Sequence, residues 1–134
     1  IPPLMPFRID NIGIAVTDLN VAVEFYQKLG FEKNYEDAEN KGWSMKQGDA
    51  VLFIFETANE AKQQPRDAKS IGNNLCGIDH ISFNVDDVDK IYKEITEKGI
   101  VATEPENQSW GARLTAVCDP FGNNLFFLKF LEEK

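Results

Sequence analysis

The sequence predicts an α+β protein built from two tandem βαβββ units. Three observations carry this. The stretch "RIDNIGIAV" (residues 8–16) returns as "GIDHISFNV" (residues 77–85). An offset of 69 residues keeps the two copies in register without a gap from Ile9 to Phe31, pairing Ile9, Asp10, Ile12, Val16, Asp18 and Gly30 with Ile78, Asp79, Ile81, Val85, Asp87 and Gly99. Each copy then reads as one strand, one helix and three strands, which is how a supersecondary unit used twice announces itself.

In the first copy, Ile9–Val16 alternates with Ile12, Ile14 and Val16 on one face, the period of a half-buried strand. Asp18 stands where an N-cap belongs. Leu19, Ala22, Phe25, Tyr26 and Leu29 follow at helical spacing, and Gly30 ends the helix as a C-cap glycine does. Three strand-like runs come next, at Phe31–Glu36, Gly42–Gln47 and Ala50–Glu56, the last two joined by a tight turn at Gly48-Asp49.

The second copy repeats the order. Ile81, Phe83 and Val85 form the apolar face of its first strand, and Asp86 or Asp87 caps a helix whose stripe is Val88, Ile91, Tyr92 and Ile95. Gly99 closes it, and strand-like runs cover Ile100–Glu104, Trp110–Cys118 and Asn123–Phe130. In "DPFGN" the order Asp119, Pro120, Gly122 matches a type I turn. We therefore read residues 1–134 as one domain with unit one at 7–56, unit two at 78–130, and a polar linker or flap at 57–77 that has no strand pattern.

Composition narrows the function. The net charge is −8 and the pI near 4.6, which opposes nucleic acid as a partner and favours neutral or cationic molecules. Cys76 and Cys118 are isolated, with no CxxC and no Cys/His cluster, so a zinc site of the usual spacing is not expected. Two scattered cysteines suit a reducing compartment. The segment "IPPLMPF" is too short and too rich in proline for a signal peptide, and no apolar run is long enough for a membrane span. A cytoplasmic protein is expected.

The doubled unit, with "IDNIGIAVTDLNVAVEFYQKLGF", "GIDHISFNVDD" and "DPFGNNL", resembles the vicinal oxygen chelate superfamily from Phe7 to about Phe130. That superfamily includes glyoxalase I, bleomycin-resistance proteins, fosfomycin-resistance enzymes and extradiol dioxygenases. The resemblance implies curved mixed sheets around a cleft, and homodimers, since members usually pair. It also implies metal ligands on the first, fourth, fifth and eighth strands. By motif those positions are Asn11, Phe53, His80 and Phe126. One ligand of four survives, and two are phenylalanine, whereas a catalytic ion wants at least three protein ligands. The chain therefore reads as a member without a metal or other cofactor. Asp10, Glu56 and Asp79 are expected to turn to the other face of their strands.

Alternation offers the cleft Asn11, Gly13 and Ala15, then Val51, Phe53 and Phe55, then His80, Ser82 and Asn84, and finally Asn124, Phe126 and Leu128. Trp43, Met45 and Trp110 are added by their place in neighbouring strands. The set is mainly apolar with a few polar groups, the character of a small-molecule site. His80 reads as a structural residue, a hydrogen-bond handle or a base, and no catalytic residue is assigned. Arg113 would suit a carboxylate or phosphate, but alternation leaves its face open. The ligand-contacting candidates are Asn11, Trp43, Phe53, Phe55, His80, Ser82, Trp110, Arg113, Phe126 and Leu128. The expected function is metal-free sequestration of an apolar or cationic small molecule. The alternatives are a metal-dependent lyase, isomerase or dioxygenase of the glyoxalase type, and a ferredoxin-like regulatory domain whose repeat is coincidental.

Overall fold

The structure is a computed structural model, and it describes residues 4–60 and 76–132. Two compact units divide the chain, residues 1–59 and 60–134. Most of the proposed linker, residues 61–75, lies outside the described residues.

Unit one runs β1 (Ile12–Val16), α1 (Leu19–Lys28), β2 (Glu32–Asp37), β3 (Gly42–Gln47) and β4 (Ala50–Glu56). Unit two runs β5 (Ile81–Asn84), α2 (Val88–Glu97), β6 (Glu106–Asn107), β7 (Ala112–Cys118) and β8 (Asn124–Phe130). Each sheet is mixed and four-stranded, in the order β1-β4-β3-β2 and β5-β8-β7-β6. In each, the first strand lies parallel to the last and the remaining pairs are antiparallel. The parallel pair needs a crossover, which the helix supplies.

The repeat survives in atomic detail. Asp18 Oδ1 accepts from the Val21 amide at 3.1 Å, and Asp87 Oδ1 from the Lys90 amide at 3.1 Å. Both helices end in the same reverse bonding. Phe31 N–H donates to Tyr26 O and Gly30 N–H to Gln27 O, and Ile100 N–H donates to Ile95 O and Gly99 N–H to Thr96 O. This termination requires a left-handed residue. Gly30 and Gly99 provide it, with φ of 92° and 82°.

The helices decide which sheet face is core. In unit one Ala22, Val23 and Tyr26 of α1 bury against Ile14, Val16, Met45, Leu52 and Ile54. In unit two Val88 and Ile95 of α2 lie over the face formed by Leu125, Phe127, Thr115 and Val117, with Phe83 stacked on Phe127.

Several boundaries differ from expectation, and β7 starts at Ala112, two residues after Trp110. β1 and β5 begin at Ile12 and Ile81, three residues after the alternating pattern starts. The run Ile100–Glu104 makes a single bridge among the described residues, Ala102 to Val117. There Thr103 N–H still donates to Ala116 O at 2.9 Å, and side chains supply the other bonds, since Thr115 Oγ1 donates to Thr103 O at 2.6 Å and Thr103 Oγ1 accepts from Ala116 N–H at 2.9 Å. Pro105 then removes a donor. The "DPFGN" turn forms around Asp119, whose carboxylate accepts from Phe121 N–H, Asn123 N–H and Asn123 Nδ2.

Candidate functional site

Residues paired across a ladder share a face, so register assigns each candidate to a side. In unit one Gly13 pairs with Phe53, Ala15 with Phe55, and Ser44 with Phe53. These residues occupy the face away from α1. Phe53 and Phe55 stack there at 5.7 Å between centroids and 23° between planes. Small neighbours make room for them. A Cβ at Gly42 would fall 2.6 Å from Phe53 Cζ, so glycine is what lets the ring lie across β3.

Trp43 does not join this face. It pairs with Ile54, a core residue, and so belongs to the helix side, as does fully buried Met45, which pairs with Leu52. Lys33 Nζ lies 4.5 Å from the Trp43 ring centroid, an additional cation–π contact. Its place in a strand neighbouring the site suggests a site residue, but strand parity turns it away.

In unit two Ser82 pairs with Phe126 and Asn84 with Leu128, while Ala116 and Leu114 flank these from β7. Phe126, Leu128, Leu114 and Ala116 form a buried apolar cluster with Phe130 packed on it. His80 lies on this cluster. Its ring stacks on Phe126 at 3.9 Å and 18°. Trp110, exposed at 53 %, meets Phe130 edge-on at 5.8 Å and marks the end of the same face.

Asp79 corrects one expectation. Its Oδ2 lies 2.7 Å from His80 Nδ1. Alternation was expected to turn it away, but residues 79 and 80 precede β5, where the strand rule does not apply. Unit one has the same arrangement, with Asn11 Nδ2 donating to Asp10 Oδ2 at 2.8 Å. The Asp-Asn and Asp-His dipeptides at matching places in the repeat were the available signal.

Arg113 also belongs to the helix side. It donates through Nε and Nη2 to both carboxylate oxygens of Asp89 on α2, each at 2.8 Å, and through Nη1 to Asn107 Oδ1 at 3.0 Å. The hydrogen bond from Arg113 holds the Asp89 carboxyl below its ordinary range, and the same bond raises the guanidinium. A fork-to-fork pair of this kind clamps helix to sheet.

The positions that the resemblance implies for metal ligands, Asn11, Phe53, His80 and Phe126, hold an amide, an imidazole and two phenyl rings. Phe53 and Phe126 are equivalent in the ladders, opposite Gly13 and Ser82, and neither has a donor atom. Among the described residues no three His, Cys, Asp or Glu side chains form a group that could hold a metal ion. The residues at these positions do not fit one. No helix among the described residues is long and apolar enough to cross a membrane.

A family model described as Glyoxalase/Bleomycin resistance protein/Dioxygenase superfamily matches residues 8–127. The protein YwkD of Bacillus subtilis (strain 168) is 31 % identical over 120 residues, which is 84 % of this chain and 88 % of that protein. The bleomycin resistance determinant encoded on the transposon Tn5 has a similar fold, with a TM-score of 0.70 and 22 % identity over 94 % of this chain and 100 % of that one. A bleomycin-binding protein complexed with bleomycin gives a TM-score of 0.67 and 21 % identity, covering 92 % of this chain and 98 % of that one.

Proposed function

The chain belongs to the Glyoxalase/Bleomycin resistance protein/Dioxygenase superfamily, and from that premise we propose that it binds a small apolar or cationic molecule without a metal ion and acts by sequestering it. The observation that carries this reading is the pair Phe53 and Phe126. Where the resemblance implies acidic metal ligands, this chain presents aromatic faces, one of them capped by His80. Aromatic faces with a few polar groups suit apolar and cationic ligands. The acidic balance of the chain, −8, favours cations further. A protein of this fold that holds bleomycin supports the same use.

Each unit is assigned its own ligand-facing residues, Asn11, Phe53 and Phe55 in unit one, and His80, Ser82, Phe126 and Leu128 in unit two with Trp110 at the edge of that face. Arg113 and Trp43 are left out because they serve the helix side. The protein is proposed to work as a cytoplasmic homodimer.

A second reading rests on Asp79. A carboxylate at His80 Nδ1 orients the ring and leaves Nε2 for a proton or a metal ion, which favours the alternative of a glyoxalase-type enzyme.

The test is a thermal-shift screen of apolar, aromatic and cationic compounds, run with and without chelator, beside elemental analysis of the dialysed protein. Stabilisation that is indifferent to chelator, with no stoichiometric transition metal, supports sequestration. One equivalent of metal that is lost in His80→Ala overturns it in favour of an enzyme.

A further inference from the structure

Asn124 begins β8 on the face that carries Phe126 and Leu128, and it is 2 % exposed. Among the described residues neither its Nδ2 nor its Oδ1 has a hydrogen-bond partner, although both atoms are buried. Almost every buried polar group in a folded protein is paired, because losing water's hydrogen bonds without replacement destabilises the fold. Each such exception calls for a reason.

The fold itself does not need an amide there. The ladders place Ile12 opposite Leu52 and Ile81 opposite Leu125, so Val51 holds in unit one the place that Asn124 holds in unit two. The same position in the same topology is satisfied by an apolar side chain. Nor is the amide engaged with its cross-strand neighbour. Cys118 pairs with Asn124 in register, but its thiol donates to Asp119 O at 3.4 Å. Two residues along the same face is Phe126, under the His80 ring.

We propose that Asn124 is the polar recognition point of the ligand-binding face, a donor and an acceptor held ready for a ligand that presents the complementary pair. A primary carboxamide or a lactam matches it, since each offers an N–H and a C=O side by side. A carboxylate offers acceptors only, and the charge of −8 opposes it. The rest of the ligand is apolar or aromatic and lies beside Phe126. This rests on the binding function proposed above and adds the chemistry that selects the ligand.

The experiment uses the full chain and three probes: benzamide, benzoate and ethylbenzene. Binding is followed by the 15N–1H resonances of the Asn124 side chain and by titration calorimetry, for wild type and for Asn124→Val, the residue of the other copy. The expected result is that benzamide binds wild type about tenfold tighter than ethylbenzene and shifts the Asn124 side-chain resonances. In Asn124→Val that preference is lost, while the melting temperature rises by roughly 3 °C or more because an unpaired amide has been removed. A lower melting temperature in Asn124→Val would show that the amide is satisfied within the fold and would overturn the assignment. So would a benzamide preference that persists in the variant, which would leave Asn124 holding a buried water. If ethylbenzene binds and benzamide is not preferred, the recognition role falls and the binding function stands. If no probe binds, both fall. Should Asn124→Val not fold, the wild-type resonances and the probe ranking decide alone.

Discussion

His80 lies nearly parallel to Phe126 at 3.9 Å, but the two rings are unequally held. Phe126 is 8 % exposed within an apolar cluster, whereas His80 is open to solvent on its outer side. Phe126→Ala is therefore expected to cost about 3–5 kcal/mol, as a truncated core aromatic does. His80→Ala should cost about 1 kcal/mol or less, the loss of one stacking contact at the surface. Urea denaturation of both variants checks the asymmetry. Equal losses would mean that His80 is a structural residue.

Gly42 is fixed by Phe53 rather than by its own backbone angle. Gly42→Ala puts a methyl group where the Phe53 ring lies, with Ile54 O close behind it at 3.1 Å. Overpacking of this kind is expected to cost about 1–3 kcal/mol. Phe53→Leu added to Gly42→Ala should recover part of that loss, because the smaller side chain vacates the space. A double-mutant cycle by chemical denaturation reads the coupling, and strict additivity would place the ring elsewhere.

The two N-caps are expected to behave alike. Asp18→Ala and Asp87→Ala each remove one acceptor from a helix amide, at about 1 kcal/mol. They share no partner, so the double variant should lose the sum. Denaturant midpoints for the three variants test the equivalence.

The Asp89–Arg113 pair gives a pH signature. The folded state holds the Asp89 carboxyl below its ordinary value, chiefly through the Arg113 hydrogen bond. The unfolded chain thus takes up its proton first as pH falls. The pair's contribution is complete above the ordinary carboxylate range and is lost as pH drops through the lowered folded value. Arg113→Met should be less stable than wild type at neutral pH, with the gap narrowing in acid, while ligand-induced stabilisation is retained. Denaturant midpoints across a pH series measure the first, and thermal shift measures the second. Loss of ligand response would return Arg113 to the site.

The repeat was legible because its signals are local. Capping aspartates, helix-ending glycines and the "DPFGN" turn depend on neighbours in sequence, and they set the bounds of α1 and α2 at the same offset of 69 residues. The faces of Phe53, Phe55, Phe126 and Leu128 followed from strand parity. Three residues escaped for distinct reasons. Trp43 is a candidate by its place in a neighbouring strand, while its pairing with Ile54 is a property of the ladder. Arg113 needed Asp89, which comes from a helix earlier in the chain. Asp79 lies outside the strand whose alternation was applied to it. The burial of Asn124 without a partner has no counterpart in a single sequence, where asparagine in a strand reads only as a polar residue.

The parallel pairing of β1 with β4 and of β5 with β8 orders assembly in time. Ile12 waits for Leu52 and Ile81 for Leu125, a separation of about forty residues in each unit, so these contacts close the largest loops. The β3–β4 and β7–β8 hairpins need only a short reversal and form early. Each first-synthesised strand of a unit is thus expected to dock last, and with it Asn11 and His80. In kinetic terms His80 is a late arrival, and its substitution should speed unfolding while leaving the folding rate nearly unchanged.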